Sequence, residues 1–196
     1  MQIAIVGTVS EKCIKWVQKH YPRTIEITDL DSADIVFSVF YNQIFTDKFI
    51  KRKIKVFNFH GGILPEYRGT GTLSWAIING ENYTGVTLHE IPNGGIDNGQ
   101  IIQIRRIKIL KNDTAEILYK KSSEIVFEMF KRNFKKLITQ KYKVKPLGKP
   151  GKLYLRKDLQ VVKDLTKYVR AFTFTGKENA YYFNKKGKKI ELKWTD

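Results

Sequence analysis

Asn58, His60 and Asp97 are the residues of this chain whose types and spacing could support polar chemistry. Asn58 and His60 flank Phe59 at the end of the apolar run IKVFNF, so a strand there sends both polar side chains to one face. Asp97 lies in the glycine-rich stretch NGGIDNG, between two further strand-like runs. Strand ends and the loops beyond them are where α/β sheets place their ligands. An amide, an imidazole and a carboxylate converging on one point could polarise a carbonyl, orient a base and collect a proton. Spacing alone leaves a plainer alternative open, because a lone histidine is commonly structural and Asp-Asn-Gly is an ordinary turn sequence.

The elements that must position these residues follow from hydrophobic pattern. Residues 2–7, 24–28, 33–40 and 54–59 are short runs rich in β-branched and aromatic side chains, separated by helical or polar stretches. Alternation of this kind predicts βαβ units and a parallel sheet. Ser10 is placed to cap a helix ending near His20, Thr46–Lys51 reads as a second, short helix, and Thr72–Asn79 as a third closed by Gly80. Two more strands read at 84–91 and 100–109. Asp113-Thr114 opens the longest helix, whose stripe of Leu118, Ile125, Val126, Met129, Phe130 and Leu137 suits a core face. After the basic Pro/Gly segment KYKVKPLGKPG come a short helix (162–171) and a hairpin turning at Lys186-Gly187. The expected fold class is therefore α/β: a Rossmann-like, mostly parallel sheet flanked by helices, with a small C-terminal helix-plus-hairpin appendage. The expected division is a catalytic domain over 1–140, a connector over 141–157 and the appendage over 158–196.

Composition narrows the functional classes. With 196 residues, 42% of them hydrophobic, the chain can build one ordinary domain with a real core. No apolar run approaches the roughly 20 residues of a membrane span, and the opening MQIAIVG reads as a first strand rather than a signal peptide. The single Cys13 excludes an internal disulfide, and His20, His60 and His89 are scattered without zinc-type spacing, so a cytoplasmic protein without a metal is expected. Lys and Arg balance Asp and Glu over residues 1–98 at 10 each, whereas residues 99–196 hold 26 against 9. That asymmetry is compatible with an anionic ligand or with lysine-rich solvated surface.

The whole string from Asn58 to Ile102 resembles the signature of the folate-dependent formyltransferases. The resemblance rests on Asn58-x-His60, Leu64-Pro65, Arg68-Gly69, Gly80-Glu81, the run Thr84–Thr87, and Asp97 with Gly99, in that order. It implies N10-formyltetrahydrofolate as co-substrate and formyl transfer to an amine. On that reading His60 is the base or proton shuttle, Asn58 hydrogen-bonds the formyl oxygen, and Asp97 orients His60 or a relaying water. A neighbouring Asp97 charge is expected to raise the pKa of His60. Tyr41, Asn42, Gln43 and Ile44 match the position of the family's pterin pocket, with Ile91 and Pro92 expected as its other wall.

The acceptor is chosen by what lies outside the signature. The 45 residues after KYKVKPLGKPG are too few for the RNA-binding domain that, on the resemblance, accompanies transfer to initiator tRNA. Glycinamide ribonucleotide enzymes carry a glycine-rich phosphate loop after the first strand, where Gly7-Thr8-Val9-Ser10 supplies one glycine. The stretch Tyr67–Glu81 and the tail VRAFTF followed by AYYF resemble the sugar N-formyltransferases, which act on nucleotide-linked amino sugars. This branch is the expected one, with Arg68, Tyr181 and Tyr182 as substrate-binding residues and a homodimer as the expected assembly. Phe172, Phe174, Tyr181 and Phe183 have the alternative of sealing the appendage to the core, and at least two are expected to do so. A non-enzymatic basic RNA-binding module would explain the charge but not Asn58, His60 and Asp97 in order.

Overall fold

In the computed structural model, residues 1–52, 54–159 and 164–195 are described. The first half runs β1 (Gln2–Val6), α1 (Ser10–His20), β2 (Glu26–Ile27), β3 (Ile35–Val39), α2 (Asp47–Ile50), β4 (Lys55–His60), β5 (Arg68–Gly69), α3 (Thr72–Ile78) and β6 (Tyr83–Glu90). The second half runs β7 (Ile101–Lys108), α4 (Ala115–Ile138), β8 (Leu153–Tyr154), a 3-10 turn (Arg156–Asp158), α5 (Leu165–Phe172), β9 (Ala180–Phe183) and β10 (Lys189–Leu192). The main sheet has the order β2-β1-β3-β4-β6-β7. Its first four strands are parallel, as the βαβ pattern predicts, and β6 and β7 join antiparallel.

β3 is buried along its whole length, so its side chains serve two cores. Ile35, Phe37 and Val39 face one core with Cys13 and Val17 of α1 and Val126, Phe130 and Phe134 of α4. Val36 faces the other with Ala4, Val56 and Phe45. The period-2 alternation of a strand is what divides them. Phe130 stands at the centre of the larger core, with ring centroids 5.2 Å from both Phe37 and Phe134. Cys13 belongs to this packing, and burial pushes its thiol up to about 12, far from a nucleophile's range. The helix stripe expected to face the core does so, with Leu118, Val126, Met129, Phe130 and Leu137 all buried.

Helix ends follow their caps. Thr46 accepts from the Phe49 N–H and Thr114 from the Ile117 N–H, as their positions predict. Ser10 does not act as a cap: Val9 holds that position without a side-chain bond, and Ser10 is already the first helical residue. The tight turn at Gly7 explains the shift, because the Ser10 N–H donates to the Gly7 carbonyl. Gly7 has φ +117°, and a Cβ there would lie 2.2 Å from the Val39 carbonyl oxygen. This glycine is needed for β1 to pack beside β3.

The connector is bound to the sheet. Lys145 exchanges two backbone hydrogen bonds with Ile101, and β8 pairs with β5. α5 packs on α3, with the Ser74 hydroxyl donating to the Ala171 carbonyl. α5 starts at Leu165, with the Asp164 side chain accepting from the Lys167 N–H; the start expected at Val162 lies outside the described residues. Arg170 donates to the carbonyls of Asp113 and Leu110 and fastens α5 to the start of α4. β9 and β10 form the expected hairpin, with Gly187 in the left-handed conformation at its turn. Phe172 and Phe174 seal the appendage as expected, while Phe183 is exposed. No helix among the described residues is long and apolar enough to cross a membrane.

Candidate active site

The end of β4, the start of β5 and the β6–β7 loop meet around one carboxylate. Asp97 accepts from the Gly69 N–H at 2.8 Å through Oδ2. Its Oδ1 lies 3.3 Å from Asn58 Nδ2, 3.4 Å from His60 Nδ1 and 3.4 Å from His89 Nε2. Strand alternation brings Asn58 and His60 to the same face, and the antiparallel register sets His89 opposite Asn58 and Thr87 opposite His60. Asp97 has φ +45°, a left-handed conformation that Asp tolerates better than most residues. Phe40 also has a positive φ, 58°, and its ring packs against Gly61 and Tyr119. Two non-glycine residues in this region of backbone space within one site fit a site held in place by its surroundings.

His60 is fixed on its far side. Its Nε2 is 2.7 Å from the Tyr67 carbonyl oxygen, which can only accept, so Nε2 carries a hydrogen. In the neutral ring the basic lone pair is then on Nδ1, facing Asp97. A Cβ at Gly62 would lie 2.7 Å from both His60 Nε2 and the Tyr67 oxygen, so only glycine leaves room for this bond. Burial would raise the Asp97 carboxyl, but His60, His89 and the Gly69 N–H overcome it and hold Asp97 at about 2. For His60 the balance runs opposite to the sequence-based expectation. Burial is the largest influence and lowers its pKa below 6.5, against the upward pull of Asp97. The reason is that the ring is buried beside a second imidazole, so desolvation of the cation, with His89 adding to it, outweighs the pull of the Asp97 carboxylate.

The cluster opens onto a cavity of about 450 Å³. Tyr41, Asn42, Gln43, Ile44 and Ile91 line it together with Asn58, His60 and Asp97, as the sequence suggests. Four expected site residues do not line it. Pro92 is exposed and turns towards Gly99. Arg68 spends Nε and Nη2 on the Ile96 carbonyl, at 3.2 and 2.7 Å, and so braces the Asp97 loop. Tyr181 and Tyr182 lie on the hairpin: the Tyr181 ring packs beneath Lys189 and Tyr182 is exposed. Arg156 and Lys177 line the cavity instead, both exposed and, among the described residues, without an ion pair. Sequence reasoning missed them because their surroundings are set by docking of the appendage. His89 was missed as well, although the alternation of Val86 and Leu88 with Thr87 and His89 already marks a polar face on that strand.

Comparison with known proteins gives the chain's family. Residues 5–132 match the family described as Formyl transferase, and the chain belongs to it. It is 47% identical over 89 residues to the bifunctional polymyxin resistance protein ArnA of Wigglesworthia glossinidia brevipalpis; the match covers 45% of this chain and 14% of that longer protein. Among solved structures it is similar to WlaRD, a sugar 3N-formyl transferase determined with dTDP and 5-N-formyl-THF. The TM-score is 0.75 at 26% identity, covering 89% of this chain and 80% of that one. It shares its fold with a sugar N-formyltransferase from Shewanella sp FDAARGOS_354, with a TM-score of 0.80 at 19% identity over 99% and 96% of the two chains.

The lowered pKa of His60 has a consequence for stability. As pH falls through 6.5, the unfolded chain binds a proton that the folded ring resists, so the native state must lose stability. Urea denaturation at about pH 7.5 and about pH 5.5 should show a larger loss for the wild type than for His60→Gln. Equal losses in the two proteins would contradict the buried, neutral imidazole.

Proposed function

We propose that this chain transfers a formyl group from N10-formyltetrahydrofolate to the amine of a nucleotide-linked amino-deoxysugar. The observation that carries the reading is the meeting of Asn58, His60 and Asp97 on a cavity that also holds the Tyr41–Ile44 segment. A pocket combining aromatic and aliphatic walls with the amides of Asn42 and Asn58 suits a flat, hydrogen-bonding heterocycle. The similarity to WlaRD supports both the folate and the nucleotide-sugar parts of the proposal. A cytoplasmic location and a homodimeric assembly belong to the same reading, and light scattering reads the second directly.

The residues supply what the reaction needs. The neutral amine attacks the formyl carbon, forming a new C–N bond and a tetrahedral centre with a negative oxygen and a positive nitrogen. An N–H of Asn58 donates to that oxygen. His60 Nδ1 takes the proton from the nitrogen, and Asp97 across from it stabilises the imidazolium that results. Breaking the bond from carbon to N10 restores the carbonyl, and the leaving nitrogen takes the proton back. Arg156 and Lys177 stand where they can offset the charge of the nucleotide diphosphate. Gly7 makes no case for a ribonucleotide phosphate, since its conformation is explained by β3 packing.

The reading is tested by incubating the protein with formyl-folate and a panel of nucleotide-linked amino sugars, with glycinamide ribonucleotide as a parallel arm. A mass gain of one formyl group on a sugar supports it, and formylation of the ribonucleotide alone overturns it. Arg156→Ala and Lys177→Ala should each raise KM for the sugar nucleotide about tenfold, the loss of one charge-assisted contact, while KM for the folate stays level. A rise confined to the folate would reassign the two cations.

The rate should also rise with pH as His60 loses its proton. Because its pKa lies below 6.5, the acidic limb set by His60 in kcat/KM belongs below that value. Asp97→Asn removes the charge that pulls this pKa up, so the limb should move to still lower pH, with turnover reduced by about 10² or more. Profiles that superimpose after scaling would separate Asp97 from the titration that controls the rate.

A further inference from the structure

His89 is fully buried on β6 and has no part in the mechanism above. Its ring nevertheless reaches three polar groups of the centre. Nδ1 lies 2.7 Å from the Glu90 carbonyl oxygen, and Nε2 lies 3.0 Å from Asn58 Nδ2 and 3.4 Å from Asp97 Oδ1. The titratable groups that face it are Asp97 and His60, the latter with its ring centroid 6.4 Å away.

Counting hydrogens assigns each of these atoms. A carbonyl oxygen only accepts, so Nδ1 of His89 carries a hydrogen. The Asp97 carboxylate also only accepts, so the edge of Asn58 that faces it is the NH2 edge. One hydrogen of that group is directed at Asp97 Oδ1 and the other at His89 Nε2, which must therefore be a lone pair. The opposite edge of Asn58, its Oδ1, accepts from the Ser38 hydroxyl at 2.7 Å. One consistent pattern remains: a neutral Nδ1–H imidazole that accepts from the Asn58 amide.

We propose that His89 is a positioning residue of the formyl-transfer centre, holding the Asn58 amide so that its NH2 edge meets the developing oxyanion. The proposal rests on the formyl-transfer reading. Of the two Asn58 N–H groups, the one directed at Asp97 is long, at 3.3 Å, and is the one a developing oxyanion takes over. The shorter bond to His89 persists and stops the amide from turning over. A turned amide would present Oδ1 to the oxyanion, setting two acceptors against each other. Glu90 completes the support: its carbonyl fixes the His89 tautomer, while its side chain accepts from the Tyr142 hydroxyl of the connector and lies 3.8 Å from Lys55 Nζ.

Two measurements on the full chain test this. Imidazole 15N NMR of the unliganded protein near pH 7.5 should show His89 with Nδ1 protonated and Nε2 bare; a protonated Nε2 would overturn the proposal. This readout needs no substrate, so it stands apart from a failure of the formyl-transfer reading, which would appear as a wild type without turnover. For kinetics, His89→Leu removes the acceptor and His89→Gln returns a side-chain oxygen towards the position of Nε2. His89→Leu should lower kcat by about 10²–10³ with KM for formyl-folate within about twofold, the pattern of a lost oxyanion donor. His89→Gln should recover to within about tenfold of the wild type. Equal losses of rate and of thermal stability in both variants would mean that His89 only fills the core, and an unaffected kcat in His89→Leu would be equally fatal. Should His89→Leu fail to fold, the tautomer and the His89→Gln rate decide.

Discussion

The constraint on which the rest of the structure depends is the burial of one ionised carboxylate. A charge removed from water costs several kcal/mol unless other groups satisfy it. Asp97 accepts hydrogen bonds from the Gly69 N–H on β5 and the Asn58 amide on β4, and the rings of His60 on β4 and His89 on β6 each approach it to 3.4 Å. None of these is near Asp97 in sequence, so the charge can be accommodated only after the sheet has assembled. Arg68, by clasping the Ile96 carbonyl, holds the loop in the position from which the carboxylate reaches all four.

The sheet explains why such a meeting occurs here. Its parallel strands end at β4, and the chain then returns antiparallel through β6 and β7. This reversal lays His89 beside Asn58, and the β6–β7 loop, which leaves beside Val56, turns back to bring Asp97 to the end of β4. The cavity opens at this junction, with the Tyr41–Ile44 segment supplied by β3 and the cations Arg156 and Lys177 supplied by the docked C-terminal part. Phe172 and Phe174 seal that docking into the core under α3 and α4. The appendage thus contributes to the cavity through its attachment, while its hairpin tyrosines stay outside.

Two opposing electrostatic effects tune the centre. The environment that holds Asp97 at about 2 also lowers His60. The difference lies in what each form loses on burial: the Asp97 anion is compensated by the fixed N–H groups of Gly69 and Asn58 and, in acid, by charge on the two rings, whereas a His60 cation has one carboxylate to offset its desolvation. The centre therefore rests as a carboxylate facing a neutral imidazole. That is the state the proposed reaction requires of His60, which there accepts a proton from the attacking amine.

The sequence by itself determined the α/β class, the strands of the main sheet and of the hairpin and most helix limits, because hydrophobic period and capping residues act over a few neighbours; the short β5–β8 pair was not legible in it. It also determined that Asn58 and His60 share a face, since strand alternation is a local rule, and the order of motifs from Asn58 to Ile102 marked the family. Tertiary structure alone decided the direction of the His60 pKa, which depends on burial that a linear string does not encode. It alone brought His89 into the centre, through a strand register set by non-local pairing. It also directed Arg68, Tyr181 and Tyr182 away from the cavity and Arg156 and Lys177 towards it. Where a long side chain ends up is fixed by which distant surfaces pack together, and that is settled only when the appendage docks on α3 and α4.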